Sequence, residues 1–158
     1  MSLLVKNALL VSGKKADVLI EGNRISKIGS FSASAEERLD ASGKILVPGF
    51  INTHAHSAMS LFKGMAEDMG LHSWLSCVRA AEKKLSSKQV RAGAALACLE
   101  MIKGGTTCFS DMYFHMDAVA AAVQESGMRA VLGYGMVDFG DAKKRKSELS
   151  IAEKFVKG

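Results

Sequence analysis

Two histidines stand one residue apart in the stretch Ile45-Leu46-Val47-Pro48-Gly49-Phe50-Ile51-Asn52-Thr53-His54-Ala55-His56. The apolar residues ahead of them predict a buried strand running straight into the pair. Side chains alternate across a strand, so His54 and His56 share one face while Ala55 turns to the other. Neutral imidazole is a zinc ligand, and two of them on one face make half of a metal site. The same spacing also suits two hydrogen-bonded, inert histidines at a strand end, because the pattern is short. Pro48-Gly49 before the strand and Asn52 and Thr53 inside it weigh toward a site. Two imidazoles alone would hold zinc weakly and leave a substrate without a general acid or base.

The elements that must position the pair follow from the hydrophobic pattern. Residues 3–11 read as an apolar strand, and 17–21 and 24–29 alternate with period two around a Gly22-Asn23 hairpin connection. Residues 38–41 add a further short strand, so residues 1–45 read as a small antiparallel β-unit. From residue 46 onward strands and helices alternate. Helices are expected over 71–85, with Trp74, Leu75, Val78 and Ala81 at helical spacing, and over 90–103, capped by Ser87 and stopped by Gly104-Gly105. A second strand covers 106–112, a helix 117–126 stops at Gly127, a third strand covers 129–136, and a last helix starts at Lys143. Strands joined by amphipathic crossovers specify parallel βαβ units. Domain boundaries are therefore expected at 1–45 and 46–158. A closed (β/α)8 barrel needs eight strands and about 250 residues, so the 158 residues here hold about three of its βα units.

Composition narrows the classes. Hydrophobic content of 48 % and charged content of 23 % are ordinary for a globular chain with a core. Cys77, Cys98 and Cys108 are an odd, widely spaced set, which reads as reduced thiols in a cytoplasmic protein rather than a disulfide frame. The start lacks a signal-peptide pattern, and no apolar window is long enough for a membrane span. Net charge is +5, and the cluster Lys143-Lys144-Arg145-Lys146 has no aromatic neighbours for base stacking. Neither a nucleic-acid nor a membrane partner is expected.

Pro48 through His56 resembles the first barrel strand of the amidohydrolase superfamily. The continuation Ser57-Ala58-Met59-Ser60-Leu61-Phe62-Lys63-Gly64-Met65-Ala66-Glu67-Asp68 is similar to the branch that deaminates 5′-modified adenosines: S-adenosylhomocysteine, 5′-methylthioadenosine and 5′-deoxyadenosine. Leu99 to Thr107 and Ser110-Asp111-Met112-Tyr113-Phe114 match the same branch. The resemblance implies an α/β fold, the N-terminal part of a metal-dependent hydrolase TIM barrel preceded by part of a small β-sandwich. It implies one Zn2+ (Fe2+ being the other metal in the branch) with His54 and His56 as two of its ligands. The third His, the Asp ligand, and the Glu and His that handle protons are implied on later strands, with no catalytic residue in this stretch. It further implies a small nucleoside substrate and a homo-oligomer at full length.

Three residues carry two readings each. Glu82 stands near the position at which the family's Glu holds the ribose hydroxyls, in a run one residue shorter and without its proline; it also reads as a solvated helix Glu paired with Lys83 or Lys84. Trp74 walls the purine pocket or anchors its helix. His115, just past the second strand, lines the substrate site or sits in a surface loop. His72 precedes the first helix and Asp111 reads as a structural acceptor. At the end of the third strand Tyr134 stands where some relatives have an Arg toward the 5′ substituent. The expected activity is thus hydrolytic deamination of an adenosine derivative, with this stretch an inactive N-terminal portion of the enzyme. The other readings are an amidohydrolase acting on guanine, cytosine or a chloro-triazine, and a non-catalytic remnant or split subunit completed by a second chain.

Overall fold

The computed structural model describes residues 1–157, which divide into two compact units at Pro48 and Gly49. The division falls past residue 45 because the apolar run ahead of the histidines is split. Ile45–Leu46 (β5) pairs with the first strand of the N-terminal sheet, and only Phe50–Ala55 (β6) belongs to the second unit.

In the first unit β1 (Ser2–Leu10), β2 (Lys15–Glu21) and β3 (Arg24–Gly29) form an antiparallel meander, with Gly22 at φ +61° in the β2–β3 turn. The expected all-antiparallel unit is corrected at its other edge. There β4 (Glu37–Asp40) and β5 both run parallel to β1. A two-residue hairpin enforces antiparallel pairing, whereas the 30–36 link is long enough to cross to the far side of β1 and enter in its direction. Val5, Ala8, Val18 and Ala41 form the core of this unit. Between Val5 and Ala8 the register of β1 shifts, with Asn7 at φ +60°. Asp17, 7 % exposed, holds the bulge: it accepts the Asn7 N–H at 2.9 Å and the Lys6 ammonium at 2.6 Å. Asn7 Nδ2 in turn donates to Asp40 at 3.1 Å.

In the second unit β6, β7 (Thr106–Tyr113) and β8 (Arg129–Tyr134) form a parallel sheet in that order. Helices α1 (Leu71–Glu82), α2 (Ser87–Lys103) and α3 (Met116–Ser126) supply the crossovers, and α4 (Ala142–Lys157) follows β8. A 3-10 turn, Ser57–Phe62, follows β6 directly. The cap of α2 is Ser86 rather than Ser87. Ser86 Oγ accepts from the Gln89 N–H while Gln89 Oε1 accepts from the Ser86 N–H, a reciprocal capping box that Ser87 is one residue too late to make. Helix α3 ends at Gly127, whose φ of +71° suits glycine. The core packs Val90, Ala94 and Cys98 of α2 and Val119, Ala122 and Val123 of α3 onto Phe109 and Tyr113 of β7. The opposite sheet face is open: Ile51 and Val131 are each 68 % exposed. The expectation of a buried first strand is thereby corrected, since β6 is covered on its helix side alone.

Close packing sets one residue identity in α2. A Cβ on Gly93 would lie 2.4 Å from the carbonyl oxygen of Ala58 in the 3-10 turn. Alanine favours the helix by about 0.5–1 kcal/mol over glycine, but overpacking against an immovable backbone costs about 1–3 kcal/mol. The clash wins, so Gly93→Ala lowers stability by about 1–2 kcal/mol in urea unfolding with an unchanged m-value; a neutral or stabilising result would contradict this packing. In the first unit, the Lys6 ammonium and the Asn7 N–H hold the Asp17 carboxyl below its usual value of 3.8. A depressed folded-state value contributes stability above the unfolded-state value and loses it as pH falls through the folded one. Acid titration of the N-terminal sheet followed by circular dichroism is therefore expected to show a loss below about pH 4, and Asp17→Asn removes that part of the pH dependence.

Candidate functional site

Strand β6 ends at the histidine pair, and its neighbour β7 determines how the pair is held. The register sets Ala55 against Asp111, with Ala55 packed into the helix-side core. His56, half-buried, donates from Nδ1 to the carbonyl oxygen of Met112 at 2.7 Å. That bond fixes the tautomer and leaves Nε2 with its lone pair, the arrangement that a ligating histidine needs. His54 is exposed, and its Nε2 lies 3.3 Å from Nε2 of His56, with the rings at 87° to one another. Zn–N bonds of 2.0–2.1 Å at the tetrahedral angle place two nitrogens about 3.3–3.4 Å apart. The pair therefore fits two corners of a zinc site by distance, donor type and tautomer. Among the described residues no group of three or more His, Cys, Asp and Glu is arranged to hold a metal, so the pair stands without a third donor beside it.

Immediately after His56, Ser57 is clamped to β7. Its N–H lies 3.2 and 3.3 Å from the two oxygens of Asp111, and its hydroxyl donates to the same carboxyl group. Both residues are buried, Asp111 at 2 % exposure.

Beside His56 opens a cleft of about 320 Å³, within the range of small-molecule sites. Its walls include Met59, Val78 and Phe114, and its polar groups include Arg79, Glu82 and Tyr113. Of the residues expected from sequence, His56, Trp74 and Glu82 line this one cleft. Glu82 ends α1 half-buried and accepts from the Tyr113 hydroxyl at 2.8 Å, a contact other than the expected pairing with Lys83 or Lys84. Trp74 is half-buried in the first turn of α1. His115 lies elsewhere. It precedes α3 in the left-handed conformation, φ +53°, and lines an adjoining hollow of about 440 Å³ together with Arg79, Glu82, Tyr134 and Lys144. The two spaces share Arg79, Glu82 and Phe114. His72 is exposed on α1 and lines neither.

Sequence reasoning missed Tyr113 and the Met112 carbonyl. Tyr113 is buried, and burial together with the neighbouring Glu82 pushes its hydroxyl well above the usual phenol range, so it remains a donor. A signal for it existed: Phe109, Asp111 and Tyr113 alternate along one strand, and all three are buried. Burial likewise raises the Tyr134 hydroxyl, with Glu148 adding to the shift.

Comparison with known proteins follows the same lines. A model of the amidohydrolase family matches residues 45–158. A 5-methylthioadenosine/S-adenosylhomocysteine deaminase of Thermococcus sibiricus is 50 % identical over 99 % of this chain and 39 % of its own length. A 5′-deoxyadenosine deaminase of Methanocaldococcus jannaschii is 48 % identical over 98 % of this chain and 37 % of its own. Among solved structures, an adenosine deaminase from Xanthomonas campestris with bound zinc superposes with a TM-score of 0.84 at 26 % identity, covering 96 % of this chain and 38 % of that one. Guanine deaminase from E. coli, at 19 % identity and a TM-score of 0.74, shares the fold over 99 % of this chain and 42 % of its own. The chain thus spans 37–39 % of the length of these two curated relatives.

Removing the Tyr113 hydroxyl leaves the half-buried Glu82 carboxyl without that donor. Tyr113→Phe is expected to lower stability by about 1–2 kcal/mol, read from denaturant unfolding, while Tyr113→Phe combined with Glu82→Gln shows less than the sum of the two single changes.

Proposed function

The chain belongs to the amidohydrolase family, and on that premise we propose that it supplies the first metal-binding strand and the nucleoside cleft of a hydrolytic deaminase of adenosine derivatives. The observation that carries the reading is the histidine pair spaced at 3.3 Å, of which His56 is bonded to the Met112 carbonyl and lines a cleft that also holds Trp74 and Glu82. The products would be the inosine analogue and ammonia. The substrate preference rests on the relatives, which are deaminases of 5-methylthioadenosine, S-adenosylhomocysteine or 5′-deoxyadenosine.

In this reading His54 and His56 hold Zn2+, Fe2+ being the other candidate. The metal, when bound, supplies a Lewis acid that makes water nucleophilic at neutral pH. The chain's own residues bind and orient. Trp74 walls the purine, and the apolar sides of the cleft exclude bulk water from it. Glu82 accepts from the ribose hydroxyls, and the Tyr113 hydroxyl keeps its carboxyl aimed into the cleft. The adjoining hollow, where Tyr134 and His115 lie, offers room for the 5′ substituent. The Glu and His that move protons to and from the purine belong to later strands of the family's barrel. Cys77, Cys98 and Cys108, all free, support a reducing cytoplasmic setting, and no described helix is long and apolar enough to cross a membrane. Assembly as a homo-oligomer follows the family's habit.

The test is metal content together with ammonia release from 5′-modified adenosines, on residues 1–158 and on the full product of the reading frame. Zinc and turnover are expected in the longest form, and His54→Ala or His56→Ala should weaken metal binding by at least about tenfold. Absence of metal from every form would sink the reading. So would turnover that survives loss of both histidines.

A further inference from the structure

Nothing in the pairing of two histidines requires the next strand to carry a buried acid, yet Asp111 lies at the point where β6 ends. Its carboxyl group is 2 % exposed, and the partners it has are the N–H and hydroxyl of Ser57. A buried carboxyl group without a cationic partner is expensive, and an apolar residue would serve packing better. What it holds is the main chain one residue past His56. There the backbone is neither strand nor helix, with His56 at φ −130°, ψ 73°, and the 3-10 turn begins. The next residue on the same strand, Met112, takes the Nδ1–H of His56 at 2.7 Å.

We propose that Asp111 is a positioning residue for His56: together with the Met112 carbonyl it makes a two-point clamp, one point on the ring and one on the main chain, that sets where Nε2 lies relative to His54. The proposal rests on His54 and His56 being metal ligands. Ring hydrogen bonding alone leaves the imidazole free to swing with its backbone, and main-chain anchoring alone leaves the ring free to rotate about χ1 and χ2. Both are needed to hold the two Nε2 atoms at the ligand–ligand spacing before a metal arrives. The carboxyl group reaches both Ser57 donors at once because parallel pairing sets Ala55 against Asp111. Ser57 is thereby drawn toward β7 as the strand ends, and His56 is carried with it.

The experiment uses the full product of the reading frame and reads zinc affinity by chelator competition, the visible spectrum of the Co2+-substituted protein, and thermal stability. Asp111→Ala is expected to weaken zinc about 10- to 100-fold and to change the Co2+ spectrum, which reports ligand geometry. Asp111→Asn retains one acceptor oxygen for the Ser57 N–H, so it should recover most of the affinity. If Asp111→Ala does not fold, Asp111→Leu decides, because it removes both acceptor oxygens and fills the same buried space; weaker zinc and an altered spectrum are expected there too. A folded Asp111→Ala, or in its place Asp111→Leu, with wild-type affinity and spectrum overturns the proposal, whatever it does to stability. His56→Ala separates the two ideas. If it loses zinc while the Asp111 variants do not, positioning alone is wrong; if it binds zinc as well as wild type, the metal reading falls and takes this proposal with it.

Discussion

The parallel pairing of β6 with β7 is the constraint on which the site depends. Side chains on β7 alternate, so Phe109, Asp111 and Tyr113 are buried on one face while Met112 points to the other, half its surface exposed. The helix-side set does three jobs in sequence. Phe109 packs against α2 and α3, Asp111 grips Ser57, and Tyr113 reaches the end of α1 to hold Glu82. Between them the Met112 carbonyl meets His56. A slip of one residue in register would exchange the two faces, burying Met112 and turning Asp111 and Tyr113 outward. The anchoring of His56 and the cleft would be lost together, which is why they are one structural feature.

The opposite face of the same sheet is left uncovered. Parallel sheets are ordinarily covered on both sides. Here α2 and α3 cover one side, and Ile51, Met112 and Val131 are open on the other. In the barrel fold of this family that open side is the interior. The anchoring of His56 to β7, through the Met112 carbonyl and through Ser57 on Asp111, is complete within these first strands.

Much of this was legible in the residues, for identifiable reasons. The two rings converge as the His-x-His spacing suggested, but across an irregular register between Asn52 and Ala55 and past the end of β6 at Ala55 rather than by plain alternation. The βαβ alternation followed from helical spacing in 71–85 and 90–103 against β-branched runs such as Thr106-Thr107. Gly105 and Gly127 marked helix ends because few other residues tolerate their positive φ. What escaped was non-local. Ser86 and Ser87 both look like caps until Gln89 is counted three residues from Ser86. The parallel placement of β4 and β5 depends on which edge of β1 a long link reaches, and local pattern is silent on that. Ile45-Leu46 and Phe50-Ile51 read as one run, although the chain changes sheets at Pro48, which has no N–H to give either ladder. The role of Tyr113 escaped because its partner Glu82 lies 31 residues away in sequence.

Under the proposed reading the ligands are aimed before metal binds, and such a site differs in kind from one that folds around its metal. In a small zinc domain the ion supplies the folding energy, so ligand geometry is created by coordination. Here the position of His56 is set by contacts that contain no metal: a ring bond to a main-chain carbonyl, a main-chain bond to a buried carboxyl group, and the fit of the 3-10 turn against Gly93 of α2. Each belongs to the hydrophobic and hydrogen-bonded framework of the first barrel strands. Under the proposed reading, the free energy of placing the pair is drawn from folding rather than from coordination, and more of the binding energy remains for holding the metal. That reading also divides the chemistry along the chain: these strands set geometry and the cleft, and charge and proton transfer fall to later strands of the family's barrel.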